Sequence, residues 1–267
     1  MTSAAAPVRA WRERDGRLLR LRLDRPKANV LDAAMIAALD AAFAAAGAEG
    51  PAPRPDGQPA LRAILLDAEG PHFSFGASVE EHLPATCAAM LGGFHALLLR
   101  MLELPVPILA VVKGQCLGGG LELASAAHLV FAAPDAKLGQ PEIVLGVFAP
   151  AASCLLPERI GPSAAADLLL SGRSIDGAEA HRLGLACAVS ADPEAAALAW
   201  FDAHLAPRSA VSLGFAVRAA TLALAERVRP RLAALEALYL GQLMARRDPV
   251  EGLTAFLEKR PARWEDR

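Results

Sequence analysis

Two glutamates stand twenty residues apart in otherwise apolar sequence, Glu122 within 117–124 (LGGGLELA) and Glu142 within 140–150 (QPEIVLGVFAP). Carboxylates are rarely buried without a task or a partner. Brought together, they repel each other and lose solvent. Both effects raise at least one pKa toward the range useful for moving protons. Such a pair around one water orients it, takes its proton and returns one to carbon. The same residues would serve equally as a helix cap or as partners of arginines, and spacing alone leaves both readings open. The second chemical feature is backbone. Gly118, Gly119 and Gly120 remove every Cβ at a strand-to-helix turn, so N–H groups can meet a ligand closely. Gly119 and the Gly76-Ala77 step each offer an N–H near a helix start, and two such donors suit a carbonyl oxygen that becomes negative during reaction. Close packing of helix on strand explains the triple glycine just as well.

These residues need a layered scaffold. The alternation of Leu and Arg in 18–23 (LLRLRL) is the period-2 pattern of a half-buried strand. Asp32 caps an Ala-rich helix to about residue 46, and the Pro- and Gly-rich stretch 47–59 is an exposed loop. Strands are expected at 61–66, 106–112, 129–132 and 136–138, with helices at 87–104 and 121–127. From residue 150 on, the expected elements are helices at 164–170, 176–183, 193–204, 209–225, 231–246 and 250–259. The layout is an α/β core over residues 1–200 followed by a helical part, 201–267, of the kind used for oligomerisation.

Composition narrows the class. A 54% hydrophobic content and a net charge of −2 over 267 residues describe an ordered globule with no nucleic-acid footprint. Cys87, Cys116, Cys154 and Cys187 form no metal-ligand spacing and fit a reduced, cytoplasmic setting. No signal peptide or membrane span is read. GxGxxG, GxSxG, HExxH and GxxxxGK[ST] are missing, which sets aside dinucleotide, serine-hydrolase, zincin and P-loop readings. Glu80, Glu81 and His82 are expected on a solvated helix face rather than in a site.

GQCLGGGLELA at 114–124, GQPEIVLG at 139–146 and HFSFGAS at 72–78 together resemble the crotonase (enoyl-CoA hydratase/isomerase) family. So do LDRPKANVLD at 23–32, SGRSIDGAEAHRLGL at 171–185 and DPVEGLTAFLEKRPARW at 248–264. The resemblance implies a spiral of ββα turns with a C-terminal helical trimerisation region, assembled as a homotrimer or a dimer of trimers. It implies oxyanion-hole N–H groups from Ala77 and Gly119, and catalytic roles for Glu122 and Glu142. It implies coenzyme A contacts from Lys27, Ala28, Val30 and Phe75, and from Phe256 and Lys259 toward a neighbouring subunit. It implies no metal and no cofactor, coenzyme A arriving as part of an acyl-CoA thioester, while the near-zero charge and the missing span argue against a nucleic-acid or membrane partner.

Within the family, 27–36, 70–84, 113–124 and 146–161 look most like the branch that hydrates cyclohexa-1,5-diene-1-carbonyl-CoA. Ser78, Phe75 and the 150–153 segment depart from the pattern of ordinary enoyl-CoA hydratases, and all three flank the expected acyl pocket. Phe75 or Phe148 could then shape a pocket for a planar ring, and ordinary core packing explains either residue just as well. The other readings are a short-chain 2-enoyl-CoA hydratase, an enoyl-CoA isomerase and, from a different class, an RNA-binding member of the fold.

Overall fold

The structure is a computed structural model that describes residues 6–25, 28–50, 57 and 59–267. It opens with a hairpin, β1 (Val8–Glu13) and β2 (Leu18–Leu23). β1 is absent from the sequence expectations because VRAWRE carries charges on a strand whose residues are mostly exposed or half-buried. Asp32 accepts from the Met35 N–H and starts α1 (Ala33–Glu49) as expected. β3 (Ala63–Ala68) and β4 (Ile108–Val112) are buried at every position and flank α2 (Cys87–Glu103). Burial on both faces is what a strand inside a parallel sheet requires. Asp67 is the polar exception in β3, and Arg20 and Arg22 of β2 neutralise it at 3.1 and 2.5 Å.

Next come β5 (Gln115–Leu117), α3 (Gly119–Ala126), β6 (Leu129–Ala132) and β7 (Lys137–Gly139). α4 (Pro150–Ile160) and α5 (Pro162–Ser171) follow, then β8 (Ser174–Ile175), α6 (Gly177–Arg182), β9 (Ala188–Val189) and α7 (Pro193–His204). The main sheet runs β1-β2-β3-β4-β6-β9, parallel apart from the hairpin, and a smaller sheet runs β5-β7-β8. Each turn of the chain lays one strand in the main sheet, one short extended segment beside the small sheet, then a helix. The short segments pair between turns, Leu31 with Ala77, Ser74 with Cys116, and β5 with β7. That is a spiral of ββα turns. Strand side chains alternate between two cores. Ile64 and Leu66 face the main one, while Ala63 and Leu65 meet Phe201 of α7 on the other side.

The C-terminal part corrects one expectation. Instead of two helices broken near residue 230, α8 (Ala210–Leu238) runs straight through Pro230 and ends in a π-helical turn, Tyr239–Leu243. Proline forfeits one helical hydrogen bond. Burial of Val228 and Leu232 on either side keeps that stretch docked, with α8 packed on α2 and α4. α9 (Arg247–Leu257) closes the fold. Among the described residues no helix is long and apolar enough to cross a membrane.

Candidate active site

α3 begins at Gly119, two residues earlier than expected, directly against the loop that carries Ala77. A Cβ built on Gly119 would lie 3.0 Å from the Ala77 nitrogen, so the two backbone N–H groups sit side by side. Among the described residues neither N–H has an acceptor, although their neighbours do. Gly118 N–H donates to Gly139 O, and Ser78 N–H to Leu31 O. Gly76 reaches this arrangement with φ +101°, and a Cβ there would collide with Leu117 O at 2.8 Å. Two free donors converging between a loop and the start of a helix are the geometry of an oxyanion hole.

Glu122 follows one turn into α3 and is 6% exposed. Its Oε1 accepts from the Ala152 N–H at 2.7 Å, at the N-terminus of α4. Burial raises the Glu122 pKa above the ordinary carboxylate value, while the Ala152 and Ala151 N–H groups pull it back. α4 is absent from the sequence expectations, where 146–161 stands as a stretch of family resemblance and 150–153 as a departure from the ordinary hydratase pattern. Its readable signal is Pro150 at the first helical position. Glu142 sits on a 3-10 turn, Pro141–Leu145, across the cavity. Its Oε1 is so close to the Gly118 backbone that a Cβ there would stand 2.7 Å away. The buried Gln140 amide, with its nitrogen toward the carboxylate, donates to Oε2 and Oε1 at 2.9 and 3.0 Å. Burial, then the charge on Glu122, raises the Glu142 pKa well above the carboxylate range.

The Glu142 turn is gripped from two sides. A Cβ on Gly252 of α9 would lie 2.1 Å from Leu145 O and 2.8 Å from the Trp264 ring. One on Gly172, just past α5, would lie 2.9 and 3.0 Å from the Val144 and Ile143 side chains.

Ala77, Gly119, Glu122 and Glu142 line one narrow cavity of about 70 Å³. Phe75 and Phe148 line it too, Phe75 being 45% exposed. Ala28 lies next to the cavity wall, its carbonyl accepting from the Phe75 N–H at 2.9 Å, and Val30 is half-buried two residues on. Lys27 falls outside the described residues. Phe256 and Lys259 are exposed and line no part of this cavity. One expectation is corrected here. His82 is half-buried and lines the cavity, because residues 80–82 form a 3-10 turn that brings it inward. Glu81 instead caps α1, accepting from the Ala33 N–H at 3.0 Å. Among the described residues no group of three or more His, Cys, Asp or Glu is placed to hold a metal ion.

The raised pKa of Glu142 has a consequence for stability. A carboxyl held above its ordinary 4.5 keeps its proton in the folded state at pH values where the unfolded chain has lost it. Stability therefore falls as pH rises from that value through the folded pKa. Glu142→Gln has no such proton, so its unfolding free energy should fall less than the wild type's between about pH 5 and about pH 8, by on the order of 1–3 kcal/mol. Denaturant unfolding at the two pH values checks this.

With the fold and site in place, the chain belongs to the enoyl-CoA hydratase/isomerase family, whose model matches residues 13–267. Among solved structures, an enoyl-CoA hydratase from Mycobacterium avium subsp. paratuberculosis K-10 superposes with a TM-score of 0.83 at 25% identity, covering 98% of this chain and 100% of that one. The spiral is thus the crotonase fold. Among curated relatives, the cyclohexa-1,5-dienecarbonyl-CoA hydratase of Thauera aromatica is 63% identical over 267 residues, the whole of both chains. A probable enoyl-CoA hydratase of Rhizobium meliloti (strain 1021) is 35% identical, covering 96% of this chain and 97% of the relative.

Proposed function

We propose that this protein is a hydro-lyase adding water to cyclohexa-1,5-diene-1-carbonyl-CoA, giving 6-hydroxycyclohex-1-ene-1-carbonyl-CoA in anaerobic aromatic degradation. The observation that carries it is a buried and a half-buried carboxylate in one cavity with two backbone N–H groups that have no acceptor among the described residues, in a chain 63% identical throughout to a hydratase of that name. The thioester oxygen sits between the Ala77 and Gly119 N–H groups, each worth about 3–4 kcal/mol as enolate charge builds. One glutamate takes a proton from water as its oxygen bonds to the ring carbon β to the carbonyl. The other, protonated, delivers its proton to the far end of the diene. The remaining double bond moves between them, and the two carboxyls have exchanged protonation states. The pair titrates as a unit, so both assignments of acid and base fit this scheme.

Coenzyme A is part of the substrate, and no step calls for a metal or a redox group. Ala28, Val30, Phe75 and Lys27 are read as its adenosine- and thioester-side contacts. Phe256 and Lys259, exposed and away from their own cavity, are read as contacts to the coenzyme A of a neighbouring subunit. Residues 201–267 are read as the assembly region of a homotrimer or a dimer of trimers. Val211, Phe215 and Leu222 on α8, at 48, 65 and 61% exposure, support that reading. The setting is read as cytoplasmic.

The test is a mass and absorbance assay of purified protein with cyclohexa-1,5-dienecarbonyl-CoA and with crotonyl-CoA. A kcat/KM for the diene at least about tenfold above that for crotonyl-CoA is expected, a transition-state difference of roughly 1.4 kcal/mol. The reverse preference would move the protein to ordinary short-chain hydration with the same machinery.

A further inference from the structure

His82 is a polar side chain of the cavity with no part in the scheme above. Its Nδ1 lies 2.7 Å from the Ser78 carbonyl oxygen. A carbonyl only accepts, so Nδ1–H donates and Nε2 is left as a bare lone pair. Among the described residues no donor is bonded to Nε2, and it is not among the fully buried polar atoms without partners. Burial holds the His82 pKa below its ordinary value, against a smaller opposing effect of the Ser78 carbonyl. The ring is therefore a neutral acceptor. The same cavity is lined by Met90, Leu91, Phe94, Phe148 and Leu253, whose side chains offer no acceptor stronger than a thioether sulfur.

The reacting water shows why an acceptor is wanted. It has two O–H groups. The ionised glutamate accepts one. The protonated glutamate keeps its proton for carbon, and its other oxygen is already engaged by a neighbouring N–H, that of Ala152 at Glu122 or of the Gln140 amide at Glu142. The second O–H then needs another acceptor, and among the described side chains lining the cavity only His82 carries a nitrogen or oxygen besides the two glutamates; an unpaired polar hydrogen there weakens every state that contains it. We propose that His82 Nε2 accepts this second O–H of the reacting water and, after addition, the new hydroxyl of the product. His82 takes no proton and forms no bond. It completes the hydrogen bonding of the oxygen that the two glutamates handle, and so rests on the hydratase reading.

Asparagine and glutamine separate this role from a structural one. Asparagine places its amide near the Nδ1 position and can keep the tie to Ser78. Glutamine places its amide near Nε2 and can keep the acceptor. Purified His82→Met, His82→Asn and His82→Gln are assayed with cyclohexa-1,5-dienecarbonyl-CoA and crotonyl-CoA, with thermal unfolding alongside. His82→Met should lose about 10- to 100-fold in kcat with KM for the acyl-CoA little changed. His82→Gln should recover most of that loss and His82→Asn should not. Recovery by asparagine alone, a loss confined to KM, or an unchanged His82→Met would each overturn the proposal. If His82→Met fails to fold, the glutamine–asparagine comparison still decides. A wild type active only on crotonyl-CoA overturns the ring substrate and leaves His82 to be judged on crotonyl-CoA. A wild type that hydrates neither overturns both.

Discussion

Glu122→Gln and Glu142→Gln each lower kcat by about 10²–10⁴-fold while leaving acyl-CoA binding nearly intact. That range is the usual worth of a positioned acid or base. Glutamine keeps the shape of the side chain, so the Ala152 N–H can still find an oxygen at position 122 and the Glu142 turn keeps its backbone. What disappears is a proton that can be taken or given. Because the two carboxylates exchange protonation states over one turnover, removing either stops the same step. The double variant should therefore be little slower than the worse single one, far from the product of the two losses. Stopped-flow hydration rates and a separate binding measurement with the product thioester check both statements. Multiplicative losses would mean that the two groups act in independent steps.

Gly119→Ala is expected to cost about 10²–10³-fold in kcat/KM, the scale of one lost oxyanion-hole donor. The added Cβ would stand 3.0 Å from the Ala77 nitrogen and 3.3 Å from the Ala77 Cβ. It would crowd the gap between the two N–H groups, the place proposed for the thioester oxygen, without removing either. The backbone at Gly119 does not need positive φ, so alanine there is no burden on the helix itself. The variant should stay folded by circular dichroism and fail in both binding and catalysis. Activity within tenfold of wild type would show that the thioester oxygen lies elsewhere.

Much of the site could be read before any coordinates, for physical reasons that differ by residue. Glu122 and Glu142 stand out because charge amid apolar neighbours is costly, and Gly118–120 because three missing Cβ atoms imply a close approach. Their meeting is a property of the spiral. The short strands that set it, β5 and β7, are three residues each, below the length at which alternation is visible. α4 was hidden for another reason. Beyond residue 150 the expected helices begin only at 164, so PAAS carries no helix in the sequence reading, and nothing local says that a helix N-terminus there receives a carboxylate thirty residues upstream. EEH reads as a charged face under a 3.6-residue period, but a tighter 3-10 turn points Glu81 to a helix cap and His82 to the cavity. Pro230 reads as a stop, and only the burial of Val228 and Leu232 shows why the helix continues. Gln140 carried no signal, since a glutamine before a proline is unremarkable until its amide is seen against Glu142.

The grip on the Glu142 turn sets the terms for redesigning the enzyme. Gly252 meets the Leu145 carbonyl of that turn with no room for a methyl group, while at Gly172 the φ of +69°, more than the yielding Val144 and Ile143 side chains, disfavours any other residue. A saturation library selected for turnover is expected to reject most substitutions at these two positions, although neither glycine lines the cavity. Selection on soluble yield would tell the two kinds apart, since the glycine variants are expected to lose folded protein and the glutamate variants are not. Substrate range must then drift through the walls, at Phe75, His82 and Phe148, while the floor under Glu142 stays fixed.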